Sequence, residues 1–71
     1  MWEKKVLTDC RDDYDGYYKN LEDAKEACVK DSNCAAIFDD SCDNFNFFLC
    51  PLGYTEKVSS VACLYIKSSD V

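Results

Sequence analysis

Two periodicities alternate along this chain, one of about 3.6 residues and one of two. The helical one is clearest in N-LEDAKEACVK, where Leu21, Ala24, Ala27 and Cys28 recur on one stripe. Asn20 is a favoured N-cap residue, and Glu22 and Asp23 stand in the first turn, where the helix dipole favours acids. Lys25 lies further along and Lys30 in the last turn, before Asp31-Ser32-Asn33 ends the helix. The two-residue period governs the rest. EKKVLTDC (3–10) carries β-branched residues and can open a sheet, and residues 14–18 are extended around a glycine turn. CAAIF (34–38) reads as a short buried strand, DDSCDN (39–44) as a turn-rich loop and FNFFLC (45–50) as a strong strand.

Within that strong strand, Phe45, Phe47 and Leu49 are expected on one face and Asn46, Phe48 and Cys50 on the other. Apolar groups on both faces suggest a central strand covered on two sides. Pro51-Leu52-Gly53 makes a turn. VACLYIK (61–67) closes the chain as a strand, with Val61, Cys63 and Tyr65 opposite Ala62, Leu64 and Ile66. The expected fold class is α+β: a small disulfide-rich domain in which one α-helix packs across an antiparallel β-sheet. No repeat, low-complexity run or interior linker divides residues 1–71, so a single domain is expected, with its core at about 8–67 and a polar tail at 68–71.

A chain of 71 residues builds a core worth only about 3–5 kcal/mol, so covalent staples are expected. Cys10, Cys28, Cys34, Cys42, Cys50 and Cys63 supply them, as a disulfide framework formed in an oxidising compartment. With no histidine and no C-x-x-C pair, structural zinc is a poor alternative. Joining 34–38 and 45–50 as a hairpin would bring Cys34 near Cys42, leaving Cys28 for Cys50 and Cys10 for Cys63. Spacing leaves this open, because six cysteines allow fifteen pairings.

Net charge is −6, and no basic cluster exceeds Lys4-Lys5. Nucleic acid, heparin-like polyanions and anionic membranes are therefore poor partners. No stretch approaches the roughly 20 apolar residues of a membrane span, so no membrane insertion is expected. No N-x-[ST] sequon occurs. Met1-Trp2-Glu3-Lys4-Lys5 leads into no apolar signal-peptide region, and the start is read as a cut from a longer secreted or surface protein, or a mature form with an added methionine.

DCRDDYDGYYKNLE (9–22) raises the question of calcium. With Gly16 at the sixth position of an EF-hand loop, Asp13, Asp15 and Glu22 fall on the third, fifth and twelfth, but Arg11 occupies the anchoring first position. Glu22 is better explained by the helix start. A looser surface site would use Asp12, Asp13 and Asp15. No metal and no cofactor is expected.

The order Cys10, YDGYY, N-LEDAKEAC, C-x5-C, CAAIFDD, FFLC and ACLYIK resembles the PAN/apple domain family over residues 8–67, with Ala24, Cys28, Cys34, Ala36, Phe38, Cys50, Tyr65 and Lys67 carrying the likeness. The resemblance implies a PAN/apple-like domain with bridges Cys28–Cys50 and Cys34–Cys42, and a third, Cys10–Cys63. It also implies an extracellular adhesion module that binds a protein or carbohydrate, located in a secreted protein or the outer part of a cell-surface protein. The acidic balance departs from those relatives that bind heparin through basic patches.

Enzyme readings fail on inventory: there is no histidine for general-base work and no G-x-S-x-G. The expected ligand residues are Tyr17, Tyr18, Asp39, Asp40, Asp43 and Tyr54, with Tyr14 nearby in sequence; such tyrosines can stack on a sugar ring while the acids accept its hydroxyls. Packing of several of these tyrosines on the sheet, and solvation of the loop acids, is the competing explanation. A second functional class is a free-standing secreted effector such as a toxin, protease inhibitor or anticoagulant-like protein. It would insert residues 51–56 (PLGYTE) into a partner. Ser69-Asp70-Val71 matches a C-terminal PDZ ligand only by chance.

Overall fold

The computed structural model of this chain describes residues 2–10 and 15–68. The elements run β1 (Trp2–Asp9), β2 (Asp15–Tyr18), α1 (Leu21–Lys30), β3 (Cys34–Asp39), β4 (Phe47–Pro51) and β5 (Lys57–Lys67). All strands join one sheet in the order β1-β5-β3-β4-β2, with every neighbouring pair antiparallel. Helix α1 packs across β3, β4 and β2. The small disulfide-rich α+β architecture is therefore present.

Local chemistry explains why α1 sits where it does. The Asn20 side chain accepts the Asp23 N–H at 2.8 Å, capping an otherwise unpaired donor, and Glu22 and Asp23 occupy the first turn. At the other end, Lys67 Nζ on β5 donates to the Cys28 carbonyl at 2.8 Å and the Asp31 carbonyl at 3.3 Å, adding a cationic donor to carbonyls that also accept the Asp31 and Cys34 N–H groups.

The alternation of β3, β4 and β5 divides the core into two layers. Ala24, Cys28, Cys34, Ile37, Phe47 and Leu49 fill the side under the helix, with Leu21 and Ala27 of the apolar stripe at its margin. Cys10, Ala36, Phe38, Cys50, Ala62 and Leu64 fill the other, backed by Phe48, Tyr54 and Ile66. The far layer has no helix. Part of its cover comes from an irregularity in the β1–β5 ribbon. Val6 stands opposite Cys63 and Thr8 opposite Val58, so two steps along β1 match five along β5. Leu7 takes a left-handed φ of 56° there, and Ser59 Oγ accepts the N–H groups of Val61 (3.2 Å) and Ala62 (3.0 Å) to hold the bend. The ribbon so distorted brings Cys10 onto the far layer.

Three expectations need correction. The bridges are Cys10–Cys50, Cys28–Cys34 and Cys42–Cys63, with Cα separations of 6.1, 5.2 and 5.0 Å, not the nested set Cys10–Cys63, Cys28–Cys50 and Cys34–Cys42. The reason is geometric. Cys34 begins β3 and the loop leaves from its other end, roughly 16 Å away at the usual rise per residue. Cys50 faces away from the helix, so Cys28 would have to reach through the sheet. Next, β4 begins at Phe47 rather than at residue 45. Cys42 and Asn44 take left-handed φ values of 56° and 65°, and the chain turns out of the sheet until Asn46. Lastly, β5 begins at Lys57, four residues before the expected start at 61.

Candidate functional site

The expected ligand residues do not converge; the sheet distributes them over three places. Tyr17 and Tyr18 are neighbours in β2 and point to opposite sides. Tyr18 joins the layer under the helix, whereas the Tyr17 ring lies 5.7 Å from the Phe48 ring on the far side. Asp39, Asp40 and Asp43 stay together in the loop between β3 and β4. Tyr54 is half-buried against the far layer, after the turn in which its N–H bonds the Pro51 carbonyl at 3.2 Å.

Tyr18 lines a concavity on the helix side of the sheet. This cavity of about 370 Å³ opens where the end of α1, the starts of β2 and β3 and the end of β4 meet, and is lined by Gly16, Tyr18, Asp31, Asn33, Cys34, Leu49, Cys50 and Pro51. Its walls are fixed by backbone chemistry. Gly16 has φ 75°, and a Cβ there would come within 3.3 Å of the Tyr18 ring, so glycine serves both the turn and the close approach of that ring. Asp31 caps α1; its Oδ1 accepts the Asn33 N–H at 2.9 Å and its carbonyl accepts the Cys34 N–H at 2.9 Å. The Asn33 carbonyl accepts the Leu52 N–H at 2.9 Å, tying this corner to the turn after β4. The Cys28–Cys34 bridge locks the helix end to the strand beside it. Neither the Tyr18 hydroxyl nor the Asn33 side-chain amide has an intramolecular partner among the described residues, so both can serve a bound molecule. Asp31 and Asn33 are absent from the expected set because the sequence marks them only as a helix stop.

The loop acids stand at the opposite end of the sheet. Asp39 is buried, with Oδ2 accepting the Asn44 N–H at 3.1 Å and Oδ1 lacking a hydrogen-bond partner among the described residues. Asp40 and Asp43 are exposed and in no ion pair among the described residues. Asp43 Oδ1 accepts the Phe45 N–H at 3.2 Å, and the Asp40 N–H bonds the Asn46 carbonyl at 3.2 Å. The Tyr17 hydroxyl reaches across to Asn46 Oδ1 at 2.8 Å. Beside them Phe45, which the strand pattern would have buried, is 66% exposed.

Around Tyr54 the chemistry is electrostatic. Lys5 Nζ contacts Glu56 Oε1 at 2.7 Å, and this hydrogen bond, aided by the charge of Glu56, holds the lysine above its usual pKa. Partial burial, then the nearby Glu56 carboxylate, raises the Tyr54 phenol. The proposed insertion segment is thus tied to the body of the protein at Tyr54 and Glu56.

Among the described residues no group of three or more His, Cys, Asp or Glu is placed to hold a metal, and no helix is long and apolar enough to cross a membrane. Asp12, Asp13, Tyr14 and the 69–71 tail lie outside the described residues, as does the side chain of Asp15. No protein-family model, curated protein or solved structure matches this chain.

Proposed function

We propose that this chain is an extracellular binding module, PAN/apple-like in the order of its sequence motifs, that recognises a glycan or a protein without catalysing a reaction. Three disulfides in a 71-residue chain support an oxidising, extracellular setting. The PAN/apple reading rests on motif order; the bridges pair otherwise than that likeness implies. The observation that carries the binding reading is the cavity beside Tyr18. Its volume, about 370 Å³, falls in the range of small-ligand sites. A phenol ring, a carboxylate and an uncommitted amide around one concavity suit a pyranose ring, which offers an apolar face for stacking and hydroxyls for Asp31 and Asn33. The secreted-effector reading has less behind it, since its insertion segment is held by Tyr54 packing and the Lys5–Glu56 contact.

A glycan array probed with the oxidised protein, with and without chelator, tests the proposal. Expected is binding to a restricted set of sugars, unaffected by chelator, and weakened about tenfold by Asn33→Ala or Tyr18→Ala. Array binding that both variants retain would remove the cavity from the reading. Loss on chelation would bring back a calcium site involving Asp12 and Asp13.

A further inference from the structure

We infer that the end of the sheet carrying residues 40–46 is a second recognition surface, and that its partner is an arginine- or lysine-bearing segment of another protein. This surface lies at the opposite end of β4 from the cavity and does not depend on the glycan reading. Its first feature is exposed aromatic area held still. Phe45 is 66% exposed and Tyr17 51% exposed. Tyr17 is anchored at both ends, by its ring against Phe48 at 5.7 Å and by its hydroxyl on Asn46 at 2.8 Å. Phe45 is set by the Asp43 carboxylate on its N–H. Rigid aromatics of this kind lose little entropy on binding and are the usual anchors of protein interfaces.

The second feature is uncompensated negative charge in the same loop. Among the described residues Asp40 and Asp43 are exposed without an ion pair, and the buried Asp39 carboxylate next to them in the chain keeps one oxygen with no donor. The whole chain carries −6, which draws a cationic segment towards it over longer range. The combination selects one chemistry. A guanidinium or ammonium can lie against the faces of Tyr17 and Phe45 while it meets Asp40 or Asp43, joining cation–π contact to ion pairing. A neutral apolar partner would gain neither contribution beyond plain packing on the rings, and an acidic one would be repelled by Asp40 and Asp43. The Cys42–Cys63 bridge fixes the loop to β5, so the surface is preformed in the oxidised protein.

The test uses two fluorescein-labelled nonapeptides, one with three arginines and the other with citrulline in their place, titrated by fluorescence anisotropy at low salt. The arginine peptide should bind at least about tenfold tighter, and its binding should weaken as salt is raised. The double variant D40N/D43N keeps an acceptor oxygen for the Phe45 N–H, so the loop should keep its shape while affinity falls about tenfold. Phe45→Ala, at an exposed position, should cost a similar factor. The double variant E22Q/E26Q removes the same charge from the helix and should weaken binding far less, through the long-range attraction alone. Amide shifts in an HSQC titration should concentrate at Tyr17 and residues 40–46. Three results would each overturn the inference: equal binding of the two peptides, equal loss in the helix and loop variants, or loss in Asn33→Ala, which would put the peptide in the cavity.

Discussion

At the scale of single residues, the Lys5–Glu56–Tyr54 group shows how a small protein sets a titration without building a buried site. The Tyr54 phenol is lifted above its ordinary 10.0 first by partial burial and then by the Glu56 carboxylate, while Lys5 opposes the rise. Its folded-state pKa therefore lies above the unfolded one. The neutral phenol's contribution to stability is fully present below pH 10.0 and is lost as pH rises through the folded value. One of the five tyrosines should accordingly titrate late in absorbance at 295 nm, and Tyr54→Phe should delete that late component. Glu56→Gln should move it to lower pH by removing the nearby negative charge. It should scarcely alter the melting temperature, since solvent screens an exposed ion pair and leaves it little net effect on stability. A late phenol that persists in Tyr54→Phe would show that another tyrosine is the perturbed one.

At the scale of elements, two side chains fix where secondary structure starts and bends. Asn20→Ala removes the cap on the Asp23 N–H and should cost about 1 kcal/mol, read as a lower urea midpoint with unchanged slope. Ser59→Ala should cost more, about 1–3 kcal/mol, because Ser59 is buried and its loss would leave the Val61 and Ala62 N–H groups without their acceptor. A Ser59→Ala variant as stable as the parent would mean that the ribbon bend does not depend on that hydroxyl. The helix is legible in the sequence because the Asn20 cap, the order of charges and the apolar stripe all agree. The split of Phe47 and Leu49 from Phe48 and Cys50 is legible too, since a period of two allows no other arrangement in a covered strand. Phe45 is not, because alternation counts side chains and carries no sign that Cys42 and Asn44 turn the backbone left-handed first. The cavity is hidden for a different reason: Tyr18, Asp31 and Asn33 meet only once the helix end is laid beside β4, and nothing local to Asp31-Ser32-Asn33 reports that.

At the scale of the molecule, the disulfides join the two layers to the ends of the sheet, and their pairing follows from the layers. Cys10 with Cys50 closes the far layer, Cys28 with Cys34 the helix side, and Cys42 with Cys63 the loop end. The parity of β4 alone separates Cys50 from Cys28. The partner of Cys10 depends on the β1–β5 bend, which no spacing reveals. Sequence separations of 40, 21 and 6 residues rank their effect on the unfolded chain. In the chain-entropy account the bridges contribute about 4, about 3.3 and about 2.2 kcal/mol respectively. The first figure alone is comparable to the whole stability expected of a core this small. Replacing Cys10 and Cys50 together by alanine should therefore leave a chain largely unfolded at 37 °C. Replacing Cys28 and Cys34 should lower the melting temperature but keep a cooperative transition. That second loss should also loosen the cavity, whose wall includes Cys34, and reduce glycan binding at temperatures where the fold survives. The arginine-peptide surface, held by Cys42–Cys63 instead, should be spared. Melting curves of the three double variants, with both binding assays run at one temperature below all surviving transitions, test the ranking and the separation of the two sites together. If Cys28/Cys34 replacement weakened peptide binding as much as glycan binding, the two ends of the sheet would not be independent.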